Sequence, residues 1–110
     1  MIQSKLGWLL ILLADRVSVS EGGQLLTEAV ATLKLGLEVA TREKNPEAWA
    51  GLQNNLGLAL AALARRNSGD AAAEQLAQAV AAYRLALEVH TFERSAWDWA
   101  LTQVNLSGAL

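Results

Sequence analysis

Apolar side chains recur along this chain at helical spacing. Leu26, Val30, Leu33, Leu37 and Ala40 fall at i, i+4 and i+7 steps, which lays one apolar stripe along a helix over residues 24–43. A run from Leu6 to Ala14 predicts an earlier helix over residues 2–17, and the polar, glycine-containing stretch 18–23, with Ser20, Glu21, Gly22 and Gly23, reads as the turn between them. Asn45 before Pro46 has the form of an N-cap followed by proline at the first helical position, where its missing N–H costs nothing. That third helix runs to Arg65 and Arg66, whose charges suit a helix C-terminus, and residues 67–70 (Asn, Ser, Gly, Asp) form the next turn. A fourth helix is expected over residues 71–91 and a fifth after Ser95, a second N-cap. Five antiparallel helices joined by short turns follow, an all-α fold.

The pattern repeats. Shifted by 50 residues, Leu26, Ala29, Val30, Leu35, Leu37, Glu38, Val39 and Thr41 recur as Leu76, Ala79, Val80, Leu85, Leu87, Glu88, Val89 and Thr91. Trp49, Gln53, Asn55, Leu56 and Leu60 recur as Trp99, Gln103, Asn105, Leu106 and Leu110, and Gln3, Leu6, Gly7 and Leu10 stand where Gln53, Leu56, Gly57 and Leu60 stand. The chain is therefore read as a single domain over residues 1–110, with units at about 1–45 and 46–95 and a terminal half-unit at 96–110. One such unit cannot bury its apolar face alone, so neighbours supply the core and the stacked surface supplies binding. Met1 aligns with Gly51 and Leu110 with mid-helix Leu60, so a longer array is an expectation.

Composition narrows the classes. With 53% hydrophobic residues, one proline, nine basic and eleven acidic side chains and a net charge of −2, there is no concentrated basic footprint for nucleic acid. The absence of cysteine removes disulfides, thiolate metal sites and a cysteine nucleophile, and agrees with a cytoplasmic setting. Lys5 followed by the apolar run and Ser18-Val19-Ser20 superficially matches a secretion signal, but a cleaved signal has no reason to keep repeat register with an internal helix. The run is also too short to span a membrane, which takes about 20 residues.

The interior of the repeat carries a resemblance. Asn55-Leu56-Gly57-x-x-Leu60, followed in the next helix by Ala79, Tyr83, Ala86 and Leu87, resembles the tetratricopeptide repeat family, and the same pattern stands at Leu6-Gly7-x-x-Leu10 with Ala29, Leu33, Gly36 and Leu37. The resemblance implies a helical-hairpin solenoid in which a Leu-Gly pair in helix A lets helix B approach closely. Glycine inside a helix costs about 1 kcal/mol against alanine, so its recurrence at Gly7 and Gly57 favours that packing role. The usual unit has about 34 residues, so the longer period here implies longer helices. Gln3, Gln53 and Gln103 replace the family's aromatic, with Trp49 and Trp99 one turn earlier on the same face, and Thr41 and Thr91 replace its closing proline.

The family's groove, carried onto this chain, falls on Ser4, Trp8, Ile11 and Leu12 in the first helix, on Gly51, Asn54, Leu58 and Ala61 in the third, and on Leu101, Val104 and Gly108 in the fifth. It is largely apolar and, Lys5 aside, lacks the basic side chains with which the family clamps a peptide carboxylate. Register sharpens this, because Glu47, Gly51 and Asn54 become Trp97, Leu101 and Val104 in the last helix, while Trp8 stands in the place of Leu58. A merely capping helix gains polar residues on its outer face. Self-association through Trp8, Trp97, Leu101, Val104 and Gly108, most simply as a homodimer, is the expectation, set against folding of Trp8 and Trp97 onto the ends as core.

Catalysis has little support in the residues. His90 aligns with Ala40 near a helix end and is expected at the surface, with no second histidine or cysteine to complete a metal set or triad. Glu38, Glu43, Glu88 and Glu93 recur with the period, and Lys34-Glu38-Arg42 and Arg84-Glu88 are spaced for ion pairs along single helices. Gln53, Asn55, Gln103 and Asn105 either bond neighbouring helices or line the groove. The reading is a non-enzymatic module that takes a protein or peptide, with no cofactor, metal, nucleic acid or membrane. The alternative is a structural or regulatory segment of a larger protein with no partner of its own.

Overall fold

Asn45 and Ser95 start their helices as their side chains dictate. In the computed structural model, which describes residues 2–14 and 19–110, the Asn45 side chain accepts a hydrogen bond from the Ala48 N–H at 3.2 Å and Ser95 Oγ accepts one from the Asp98 N–H at 3.3 Å. The described residues form five helices and no strand: α1 (Ile2–Ala14), α2 (Val19–Val39), α3 (Pro46–Arg66), α4 (Gly69–Leu87) and α5 (Ala96–Ala109). Gly69, at φ +63°, makes the tight entry into α4 in a backbone region that suits glycine alone.

Four expected boundaries move. Residues 19–23, expected in a turn, are helical: α2 begins at Val19 and carries Gly22 and Gly23 inside it, while residues 15–18 lie outside the described residues. Tertiary packing outweighs propensity there, because fully buried Leu26 joins Ala62, with Leu25, Ile11 and Leu63 packed around them. The turn at 67–70 contracts, with Gly69 already opening α4. At their other ends α2 and α4 stop at Val39 and Leu87, about four residues early. Thr41 and Thr91 explain the stop. Thr41 Oγ1 accepts from the Lys44 N–H at 3.2 Å and Thr91 Oγ1 from the Arg94 N–H at 3.3 Å, which gives the backbone a turn in place of another helical step. Thr41 and Thr91 carbonyls take the Asn45 and Ser95 N–H groups, so both loops close alike.

Consecutive helices pack antiparallel. A Cβ on Gly7 would lie 2.7 Å from Leu33 Cγ, and one on Gly57 would lie 2.5 Å from Tyr83 Cε1, so each glycine admits a fully buried side chain of the facing helix. Around these contacts Ala29, Leu33, Leu52, Ala59, Ala79 and Tyr83 form one core, and its fully buried leucines each contribute about 1.5–3 kcal/mol. Trp49 and Trp99, register partners near the starts of α3 and α5, are each met by the residue at the same register position. Arg42 sits over Trp49 at 5.4 Å, and Phe92 meets Trp99 edge-on at 5.4 Å.

Ion pairs do not run along the helices as spaced. Among the described residues, Arg42 pairs instead with Glu88 of the next unit, and Arg94 Nη2 donates to Glu47 Oε1 at 2.6 Å. The first pair links one unit to the next, and the second ties the two ends of the unit 46–95 together. All four partners are about half-exposed, so solvent screening keeps each link weak.

Candidate partner-binding cleft

α1, α3 and α5 lie side by side in the same direction, joined by amide hydrogen bonds that recur with the repeat. Asn55 Nδ2 donates to Ser4 Oγ at 2.9 Å, and Asn105 Nδ2 donates to Asn54 Oδ1 at 3.2 Å. Ser4 and Asn54 are register partners, as are Asn55 and Asn105, so one rung has been used twice. In the second rung Thr102 Oγ1 also donates to Asn54 Oδ1 at 3.2 Å. Of the two roles open to them, Asn55 bonds a neighbouring helix, while Asn105 both bonds one and lines the cleft described next. Asn54, expected in the groove, is buried in this seam, and Ser4 is half-buried beside it.

Beyond the seam an open cleft of about 320 Å³ is lined by Ile11, Leu58, Ala61, Val104 and Gly108, with Tyr83 and Arg65 among its other walls. Five of the predicted groove residues therefore meet in one place, and two of them, Val104 and Gly108, are also predicted association residues. The others divide. Trp8 and Leu12 are exposed on α1, and Leu101 is exposed on α5. Trp97, 76% exposed, extends an apolar strip along α5 through Leu101 and Val104 to Gly108 at i, i+4, i+7 and i+11 spacing. Neither Trp8 nor Trp97 folds into the core.

The cleft is poor in groups for acid–base chemistry. Tyr83 is buried, and desolvation pushes its phenol up to about 12 despite the opposing charge of Arg65. A phenol held so firmly neutral is packing rather than a proton shuttle.

His90 is not at the surface. It is 7% exposed, as its register partner Ala40 is 3% exposed, and that alignment was the signal available for its burial. Its Nε2 faces Glu47 Oε2 at 3.5 Å and Asp98 Oδ2 at 4.0 Å, while Nδ1 is buried with no hydrogen-bond partner. Buried polar atoms left so forfeit about 1–3 kcal/mol each. Among the described residues, Glu47, His90 and Asp98 are the one trio of metal-capable side chains, with ligand atoms within 4.8 Å of one another. The sequence reading sought a second histidine and overlooked carboxylates from two other elements.

No family model, curated protein or solved structure matches the chain. Among the described residues no helix is long and apolar enough to cross a membrane.

Proposed function

We propose that this chain is a non-enzymatic protein-interaction module, a tetratricopeptide-like solenoid with long helices, that self-associates through the apolar strip of α5. The observation that carries the reading is the continuity of the strip Trp97, Leu101, Val104 and Gly108 with the cleft bounded by Ile11, Leu58 and Ala61. An unpartnered strip leading into a concave apolar recess suits an amphipathic helix, whose residues at i, i+4 and i+7 would follow it. A second copy offers such a helix in its own α5, and the isologous pairing closes as a dimer.

The test is solution mass by light scattering across a dilution series, for the wild type and for Trp97→Glu and Trp8→Glu. A discrete dimer lost on Trp97→Glu supports the reading. A folded wild-type monomer at every concentration removes self-association from it.

One observation favours a second reading, in which these residues are a structural segment of a longer array. Leu6, Leu9 and Leu12 are each at least 42% exposed, whereas their register partners Leu56, Ala59 and Ala62 are buried against neighbouring helices. A preceding hairpin would cover them. In that case the isolated chain forms a polydisperse population rather than a discrete dimer.

A further inference from the structure

We propose that Glu47, His90 and Asp98 form a site for a divalent transition-metal ion of the zinc class, which ties the start of α5 to the start of α3. The three side chains come from three elements: the first turn of α3, the turn after α4 and the first turn of α5. His90 Nε2 stands 3.5 Å from one carboxylate and 4.0 Å from the other, beyond the about 2.7–3.2 Å of a nitrogen–oxygen hydrogen bond. Ligand bonds of about 2.0–2.2 Å to a tetrahedral ion place neighbouring donors about 3.3–3.6 Å apart. The His90–Glu47 separation already has that value, and a small swing of the half-exposed Asp98 carboxylate brings the third donor in.

The independent observation is the state of the imidazole. Its side chain is 8% exposed, Nδ1 has no partner and Nε2 lies outside hydrogen-bond reach of both carboxylates. Nε2 faces both carboxylates without a hydrogen bond to either, and an ion there supplies its missing partner, while Nδ1 stays enclosed on the other edge of the ring. Arg94 holds Glu47 by its other oxygen, Oε1, and so leaves Oε2 directed at His90. Two carboxylates and one guanidinium leave a net negative charge beside the imidazole to receive a divalent cation. The exposed sides of Glu47 and Asp98 leave room for water in the remaining coordination position.

Register shows that this trio is no part of the repeat's structural pattern. His90 and Asp98 stand where Ala40 and Ala48 stand one unit earlier, and Glu47 stands where Trp97 stands one unit later. Two alanine positions thus carry ligands together, at one junction only. Mixed imidazole and carboxylate donors suit zinc, cobalt or manganese better than a purely hard ion.

The experiment titrates Zn²⁺ into the untagged full chain by calorimetry and follows thermal unfolding with and without the ion. The expected result is one ion per chain and a raised Tm, both lost in Asp98→Asn and in Glu47→Gln, and both retained in Glu93→Gln, which changes a carboxylate outside the trio. His90→Gln should also lose the ion. If that substitution disturbs folding, the two carboxylate variants carry the decision. Absence of binding at submillimolar zinc overturns the proposal, as does binding that survives both carboxylate substitutions. Neither result bears on the dimer, which light scattering reads in metal-free buffer.

Discussion

Gly51 and Gly57 share α3 and predict opposite responses to the same substitution. A Cβ at Gly57 would meet the Tyr83 ring at 2.5 Å, and that ring is buried in the core. Gly57→Ala is therefore expected to destabilise by about 1–3 kcal/mol through overpacking. At Gly51 nothing lies within 4 Å, so Gly51→Ala gains only helix propensity, about 0.5–1 kcal/mol of added stability. Urea midpoints of the two variants should move to opposite sides of the wild type. Tyr83 itself makes a second residue-level prediction. Its phenol titrates near 10 in the unfolded chain and about 12 in the fold, because burial disfavours the phenolate. Between those values the unfolded chain has released the proton and the native state still holds it. Stability should thus fall as pH rises from about 10 to 12, by about 2 kcal/mol in all. Tyr83→Phe should flatten that part of the pH profile. As Tyr83 is the sole tyrosine, tyrosinate absorbance reports its ionisation directly.

At the scale of the helices, the bonds from Asn54 to α5 make a sharper prediction than the apolar contacts do. Its single Oδ1 serves both the buried Thr102 hydroxyl and the Asn105 amide, so Asn54→Leu leaves two donors without their acceptor. The cost is about 1–3 kcal/mol. It should appear as faster hydrogen exchange confined to α5, with the α1–α2 hairpin protected as before. What the sequence disclosed of these helices depended on where the deciding atoms lay. The starts of α3 and α5 were legible because Asn45 and Ser95 act on N–H groups three residues away and Pro46 suits the first helical position. The early ends of α2 and α4 were encoded just as locally, in the Thr41 and Thr91 hydroxyls, but those threonines were read as a substitute for proline and not as acceptors. The helical course through Gly22 and Gly23 was not legible, since the packing that enforces it joins Leu26 to Ala62 on a different helix. The same holds for the candidate site. Ile11, Leu58, Ala61 and Val104 converge because repeat register predicts their face, whereas the burial of Asn54 required knowing which helix lies beside it.

Across the whole molecule, the α5 strip and the cleft it enters can be separated by two substitutions with different physical effects. Trp97→Glu places a charge on a residue 76% exposed and touches no core contact, so the monomer should keep its stability while an apolar interface would have to bury a carboxylate. Gly108 lines the cleft, and a Cβ there meets nothing within 4 Å, so Gly108→Phe can fill the recess from inside without displacing the fold. If a second copy's helix follows the strip into the cleft, both variants should sediment as monomers at concentrations where the wild type is a dimer, with unchanged helical circular dichroism. Loss of the dimer in Trp97→Glu alone would confine the contact to the outer half of α5 and free the cleft for a different partner. Retention of the dimer in both would move the interface to Leu6, Leu9 and Leu12 of α1, the other apolar face whose register partners are covered. Isologous association through α5 has one further signature. It closes at two copies, so raising the concentration should saturate the mass at the dimer, whereas head-to-tail stacking of α1 on α5 has no closing step and should keep growing.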